Sequence, residues 1–237
     1  MPALDPIFWT ALLKIIGINI VLSGDNAVVI ALAARSLPAK QQKQAVFWGS
    51  GAAIVMRIVL TIFAVALLQL PWLKLIGSVL LVWIGIKLLT GEDEDEDGVE
   101  GHSSMLAAIK TILIADLVMS LDNVIAVAAA AKSDLTLVMI GLAISIPLII
   151  YASTLLIKVM ERYPIVITIG AALIGWVAGE MAWDESVLKS FTTQFPKWFE
   201  YVAATAGALT VILVGKWLAG RRHGGSVTTA GGGASTP

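Results

Sequence analysis

The chain has 237 residues, of which 58% are hydrophobic and 14% charged, and its mean hydropathy is +0.88. A soluble domain carries about 25% charged residues because water must wet its surface, so this composition excludes an ordinary soluble globular protein. A net charge of −1 offers no basic footprint for nucleic acid. The absence of cysteine, with only two histidines in polar segments, excludes disulfides, thiolate metal sites, haem and iron–sulfur clusters.

Seven stretches of the chain are long and apolar enough to cross a bilayer, which needs about 20 mainly apolar residues per helix. The N-terminal stretch follows neither a basic region nor a small-residue cleavage site, so we predict a retained span there instead of a signal peptide. The sequence therefore predicts an all-α, polytopic membrane protein. The predicted spans are 7–33, 44–68, 72–90, 105–131, 134–158, 164–183 and 200–219.

The connections between the spans carry the charge. An acidic tract at 92–97 followed by Gly98 matches the first half of an EF-hand loop, but Ser104 stands where that loop needs a glutamate. We therefore predict a solvated linker, with a metal-gathering role left open. Lysine and arginine are more frequent at the C-terminal end and in the connections that lead from an odd-numbered span to the next even-numbered one. Because such residues accumulate on the cytoplasmic side of a membrane, this bias predicts an outside N-terminus and a cytoplasmic C-terminus.

Two octets of the chain repeat one pattern, NIVLSGDN from Asn19 and DLVMSLDN from Asp116. Downstream, the glycine, tryptophan and ionisable positions of 76–87 align with those of 169–180. Each unit holds three helices, and an odd number inverts the second copy, as in many secondary transporters. The predicted plan is repeat 1 at 1–90, an acidic linker at 91–104, repeat 2 at 105–183, a surface segment at 184–199, a seventh helix at 200–220 and a disordered tail at 221–237.

Six of the ionisable side chains in the predicted spans are taken to lie at membrane depth. Each costs roughly 2.5–3.5 kcal/mol to insert at membrane depth, so each indicates a function by default. If all are ionised, their charges sum to −2, which one divalent cation would neutralise, although a buried carboxyl can take up a proton instead. The six are Asp25, Arg57, Lys87, Asp116, Asp122 and Glu180.

Helical spacing groups the polar residues of each octet. The first, fifth and eighth positions share one stripe of a helix, and the aspartate before the final asparagine lies off it. That aspartate either faces another neighbour or sits where the helix breaks, which Gly24 favours in the first copy and Leu121 does not in the second. The predicted metal ligands are Asp25, Asp122, Asn26, Asn123, Asp116 and Asn19, supported by Ser23 and Ser120.

The ligand atoms of these residues are carboxylate and amide oxygens, which suit Mn²⁺, Mg²⁺ and Ca²⁺, whereas Zn²⁺ and Cu⁺ favour histidine or cysteine. The plainer alternative is polar contact between helices, although two aspartates are unusual in that role. Met119 could add a sulfur that favours Mn²⁺, but core packing explains it as well. Arg57 is predicted to be a structural counter-charge, while Lys87 and Glu180 either gate the site, form a salt bridge or snorkel near helix ends.

The paired octets, with Leu22-Ser23-Gly24-Asp25-Asn26 in the first, resemble the TerC family of integral membrane proteins, particularly its shorter YjbE-like branch. The resemblance covers the chain up to about residue 220. It implies seven helices, membership of a cation-exporter superfamily and a role in Mn²⁺ efflux or homeostasis. Some relatives are linked to supplying metal to secreted proteins.

The leading hypothesis is a non-enzymatic secondary transporter in the cell membrane that exports Mn²⁺, or Ca²⁺ or Mg²⁺, without a prosthetic group. Its expected partners are the lipid bilayer and the ion, with homo-oligomerisation left open. One alternative is a membrane protein that delivers metal to secreted proteins. Another is an intramembrane aspartyl enzyme using Asp25 and Asp122, but neither G-x-G-D nor H-E-x-x-H occurs.

Overall fold

The computed structural model of the protein describes residues 9, 10, 13, 17, 24–67, 70–91, 102–130 and 135–225. The side chains of 61, 62, 64–67, 102–104, 122–130, 135–139, 141–146 and 222–225 lie outside that description. All regular structure among these residues is helical, which confirms the predicted all-α class. The α-helices are α1 (Gly24–Ala34), α2 (Ala39–Leu67), α3 (Leu73–Thr90), α4 (His102–Ala130), α5 (Leu135–Arg162), α6 (Ile165–Trp183), α7 (Lys189–Thr192) and α8 (Phe199–Gly225), and a short 3-10 helix, Ser186–Leu188, precedes α7.

Three of these helices are apolar and long enough to cross a membrane, judged by length and hydropathy within the described residues. They are α3, α6 and the 199–221 part of α8. Their outward faces carry large apolar side chains such as Ile76, Ile169 and Leu213, each at least 60% exposed. Water would penalise such faces and lipid does not, so these surfaces are built for a bilayer.

The helix boundaries extend several predicted spans. Helix α2 begins five residues earlier than the predicted span 44–68, at Ala39, and α5 continues to Arg162, beyond the predicted 158. Helix α8 continues to Gly225, past the predicted start of the tail at 221, while residues 226–237 and the acidic tract at 92–97 lie outside the described residues. At each extended end, polar residues continue a helix that hydropathy alone would stop.

The core forms around α1, whose residues from Asn26 to Ala34 are nearly all buried. Helix α1 contacts α2, α4, α5 and α6, and α2 contacts α4 and α5. Helix α3 contacts α4 and α6, and α8 packs against α6 and α3 from the other side. The central position of α1 explains its small and branched apolar sequence, because no side of it faces solvent or lipid.

Glycines allow the backbones of α6 and α8 to come into direct contact. A Cβ added at Gly175 would stand 2.6 Å from the carbonyl oxygen of Gly207, closer than real Cβ atoms come to a backbone oxygen. A Cβ at Gly207 would overlap the carbonyl oxygen of Gly175, and one at Gly179 would overlap that of Ala203. Small residues are the usual means of close helix packing in membranes, where lipid offers no hydrophobic drive for association.

The predicted surface segment 184–199 is anchored by one buried carboxylate. Glu185 is 1% exposed, although most of its neighbours are exposed. Its carboxylate accepts hydrogen bonds from the hydroxyl of Ser186 at 2.6 Å, the backbone N–H of Val187 at 3.3 Å and that of Leu75 at 3.2 Å. The Leu75 N–H belongs to the first turn of α3 and has no partner within its own helix. Glu185 therefore caps α3, although the two residues are 110 positions apart in the sequence.

Burial alone would raise the pKa of Glu185, but the hydrogen bonds from Ser186, Leu75 and Val187 outweigh it, and its pKa lies below the usual 4.5. The ionised form therefore stabilises the folded state at pH values above 4.5, and this stabilisation is lost as the pH falls through the lowered pKa.

We expect Glu185→Gln to lower the free energy of unfolding by about 1–3 kcal/mol at neutral pH, because the bonds lose their charged acceptor. Thermal unfolding of both proteins in detergent, from neutral to acidic pH, should show the difference shrinking towards acid. Glu161→Gln, at an exposed position of α5, is the control and should change little. A difference that grows towards acid would contradict this assignment.

Candidate functional site

A buried ion pair joins α2 to the second octet. Arg57 of α2 is 3% exposed and Asp116 of α4 is 7% exposed, and Arg57 Nη2 lies 2.5 Å from Asp116 Oδ1. Ser120 is fully buried, and its hydroxyl accepts a hydrogen bond from Arg57 Nε at 3.0 Å and donates one to Asp116 Oδ2 at 3.2 Å. The three side chains thus form a closed network in which each charged group has a partner.

The network places Asp116 and Ser120 on one face of α4, as their spacing of four residues predicts. Arg57 was predicted as a counter-charge without an assigned partner, and Asp116 is that partner. No local signal in the sequence pairs them, because their contact depends on how α2 crosses α4.

The first octet approaches the same network. Asp25 is half-buried at the start of the described part of α1, and its Oδ1 accepts a hydrogen bond from the backbone N–H of Asn26 at 2.7 Å. Asp25 also lies within electrostatic range of both Arg57 and Asp116. Asn26, predicted as a ligand, is 3% exposed. Residues from both octets therefore lie in one neighbourhood inside the helix bundle.

Half of the predicted ligand set lies outside the described residues or side chains. Asn19 and Ser23 precede the described part of α1. The residues just before Gly24, which would show whether the helix breaks at Gly24 and Asp25, also lie outside the described residues. The backbone of α4 is a regular helix through Asp122 and Asn123, whose side chains are outside the description. Because α4 is continuous there, its carbonyls are engaged in helical hydrogen bonds, so only side chains can serve as ligands at that point.

Lys87 and Glu180 occupy matching positions in the aligned stretches 76–87 and 169–180, and each contacts the tryptophan four residues before it. Lys87 Nζ lies 5.6 Å from the ring centroid of Trp83, and the Nε1–H of Trp176 donates to Glu180 Oε1 at 2.6 Å. Within the described part of the chain, Lys87 and Glu180 do not form a salt bridge with each other. Each ionisable end is thus held against its own helix, near the end of α3 or α6.

The remaining supporting residue is part of the core. Met119 is 5% exposed and belongs to the main apolar cluster, where it neighbours Val118. Among the described residues, no group of three or more histidine, cysteine, aspartate or glutamate side chains is close enough to hold a metal ion. The described oxygen donors beside the network, Asp25, Asn26 and Asp116, are a partial set that would need donors from the second octet to surround a cation.

Comparison with known proteins confirms the family. The sequence matches the integral membrane protein TerC family over residues 4–223. It is 45% identical over 187 residues to "Uncharacterized membrane protein YjbE" of Bacillus subtilis (strain 168), across 79% of this chain and 85% of that protein. It is 28% identical over 216 residues to "UPF0053 inner membrane protein YgdQ" of Escherichia coli (strain K12), across 84% of this chain and 89% of that protein. No solved structure matches the chain.

The family match includes both octets, the helices that carry the charged network and nearly all of α8. The two relatives named above are both called membrane proteins, and each aligns with more than three quarters of this chain. The chain therefore belongs to the TerC family of integral membrane proteins and is a multi-pass membrane protein.

Proposed function

We propose that the chain is a secondary transporter that exports a hard divalent cation, Mn²⁺ first among the candidates, from the cytoplasm. The observation that carries this proposal is the buried network of Arg57, Asp116 and Ser120 with Asp25 beside it. Three charged groups gathered inside a membrane helix bundle are costly, and such groups usually mark the path of an ion or proton.

The helix contacts support a pair of three-helix repeats, α1–α3 and α4–α6, and an odd number of spans in each would invert the second copy. Exchanging the repeats turns the contacts of α1 with α5 and α6 into those of α4 with α2 and α3, and all four are present. The pairs α1–α4, α2–α5 and α3–α6 map onto themselves, and they too are in contact. In this arrangement α8 is the seventh spanning helix, and it packs outside the repeats against α3 and α6.

The proposed ion site lies where α1 meets α4. Asp25, Asn26 and Asp116 supply described oxygens, and Asp122, Asn123 and Asn19 complete the proposed ligand set. Oxygen donors of this kind suit Mn²⁺, Mg²⁺ or Ca²⁺, and the family resemblance favours Mn²⁺. Rocking of one repeat against the other would open the site alternately to the two sides of the membrane. Counter-flow of protons through the same carboxylates is the proposed energy source.

Arg57 gives this proposal a specific step. Its guanidinium neutralises Asp116, so a cation that binds Asp116 must displace or share that contact. A tethered positive charge of this kind compensates the carboxylate and weakens ion binding enough for release. We place the N-terminus outside the cell and the C-terminus in the cytoplasm, following the lysine and arginine bias.

Mn²⁺ flux into sealed liposomes that contain the purified chain tests the proposal. We expect uptake by the wild type, loss of most of that uptake in Asp122→Asn, and wild-type uptake in Asp184→Asn, an exposed control beyond α6. In a Mn²⁺-sensitive host, Asp122→Asn should also lose protection. Full protection or full flux by Asp122→Asn would refute the proposed site.

The same liposomes separate the transporter from the alternative, a membrane protein that delivers metal to secreted proteins. Delivery predicts Mn²⁺ binding by the purified chain without flux into the vesicles. Flux that depends on a proton gradient would support the proposed coupling, and flux indifferent to that gradient would exclude it.

A further inference from the structure

A cavity of about 190 Å³ lies between the N-terminal end of α2 and the C-terminal end of α5. Two lysines on separate helices line it, Lys43 from α2 and Lys158 from α5, and both are exposed. The apolar lining residues Val46 and Ile157 are 1% and 3% exposed, so they close the cavity on its inner side. Two cations therefore converge on one space that has an apolar floor.

The polar groups of this cavity select an anion. Neither Lys43 nor Lys158 forms an ion pair with any acid that the structure describes, and Glu161 supplies the single negative charge in the lining. The hydroxyl of Thr154 already donates to the carbonyl of Ile150 at 2.7 Å, so it offers no free donor. The two ammonium groups, with three donors each, are the recognition elements, and together with Glu161 they leave one net positive charge.

Exposed apolar side chains continue from each lysine towards the middle of its helix. Phe47 follows Lys43 by one turn and is 56% exposed, and Leu155 and Tyr151 precede Lys158 by one and two turns and are 50% and 69% exposed. Because α2 begins and α5 ends at this side of the bundle, both stripes run from the same boundary into the bilayer. The shape is amphipathic, with a cationic head region and two apolar tracks.

Helix length places the lysines at the depth of lipid headgroups. Helices α2 and α5 have 29 and 28 residues, about 42–44 Å at the usual rise, whereas the hydrocarbon core is about 30 Å thick. Their ends therefore reach into the headgroup layer, where basic pockets between helices bind anionic lipids. Free phosphate would use the lysines alone and gain nothing from the apolar tracks.

We propose that this cavity is a binding site for an anionic phospholipid, whose headgroup phosphate contacts Lys43 and Lys158 and whose acyl chains lie along Phe47, Leu155 and Tyr151. The proposal is independent of the transport proposal, because the cavity is lined by none of the predicted ion ligands.

The full chain, purified and delipidated in detergent, provides the test. Phosphatidylglycerol should raise its Tm and bind by native mass spectrometry, while phosphatidylcholine and inorganic phosphate should do neither to a comparable extent. The double variant Lys43→Gln/Lys158→Gln should lose about thirtyfold in phosphatidylglycerol affinity, which corresponds to two charges at the membrane surface. The variant Glu161→Gln should bind phosphatidylglycerol several-fold more tightly, because it removes the opposing charge.

The matched control is Lys189→Gln/Lys197→Gln, which removes two exposed lysines beyond the opposite end of α6 and should bind like the wild type. An equal loss in this control would reduce the effect to general surface charge and refute the site. Equal stabilisation by phosphatidylcholine would refute selection for an anion, and competition by inorganic phosphate at similar concentration would refute the lipid assignment. If the double lysine variant does not fold, Glu161→Gln decides alone, and unchanged affinity in it overturns the proposal.

Discussion

Replacement of Arg57 by methionine is expected to lower the free energy of unfolding by about 3–5 kcal/mol, the usual cost of leaving one partner of a buried ion pair without its counter-charge. Asp116 and Ser120 would both lose their bonds to the guanidinium, and Asp116 is too buried for water to replace it. Arg162→Met, at the exposed end of α5, is the control and should change stability by no more than about 0.5 kcal/mol. Reversible unfolding in mixed detergent measures both.

A double variant separates stability from function. Arg57→Met/Asp116→Leu replaces the whole pair by apolar groups, and such replacements are often neutral or stabilising. We expect it to recover most of the stability lost in Arg57→Met and yet to carry no Mn²⁺ flux, because a proposed ligand is gone. Arg57→Met as stable as the wild type would show that the pair contributes nothing to the fold. Flux by the double variant would remove Asp116 from the proposed site.

Substitution of Gly207 by alanine is expected to separate α6 from α8, because the added methyl group would occupy the space of the Gly175 carbonyl oxygen. The neighbouring atoms belong to backbone, including the amide nitrogen of Gly179, so they cannot turn aside as a side chain would. Overpacking of this kind costs about 1–3 kcal/mol, and Gly207→Leu should cost more. Thermal unfolding and protease cleavage of α8 in detergent report the separation.

Gly220→Ala is the matched control, since it lies on the same helix and a Cβ there meets nothing within 4 Å. It should be neutral or stabilising by about 0.5–1 kcal/mol, because alanine favours a helix over glycine. Equal destabilisation by Gly207→Ala and Gly220→Ala would contradict the close packing of α6 on α8.

Much of the fold follows from local sequence. The apolar stretches predicted at 72–90 and 164–183 correspond to α3 and α6 within a residue at each end, because a membrane helix is an uninterrupted run whose length the bilayer sets. The predicted spans that begin at 44 or end at 158 or 219 are too short, because the helices α2, α5 and α8 continue into polar residues. Hydropathy marks the hydrocarbon boundary, whereas backbone hydrogen bonding decides where a helix stops.

The sequence predicts which residues belong to the candidate site but not which of them contact one another. Scarcity of charge in apolar spans singles out Asp25, Arg57 and Asp116, since each must justify its cost in lipid. Their pairing was not predictable, because the residues lie on three different helices and no periodicity in one helix reports on the side chains of another. The same applies to Glu185, which looked like one acid in a surface segment and is the cap of α3.

By itself the sequence determined the membrane class, the helical architecture, the family and the duplicated octets, because these depend on composition and on patterns within a single helix. Only the tertiary structure decided that Arg57 meets Asp116, that Glu185 caps α3, and that Lys43 and Lys158 share one cavity. Those contacts arise where helices cross, and crossing depends on the summed packing of whole surfaces, which no short stretch of residues encodes.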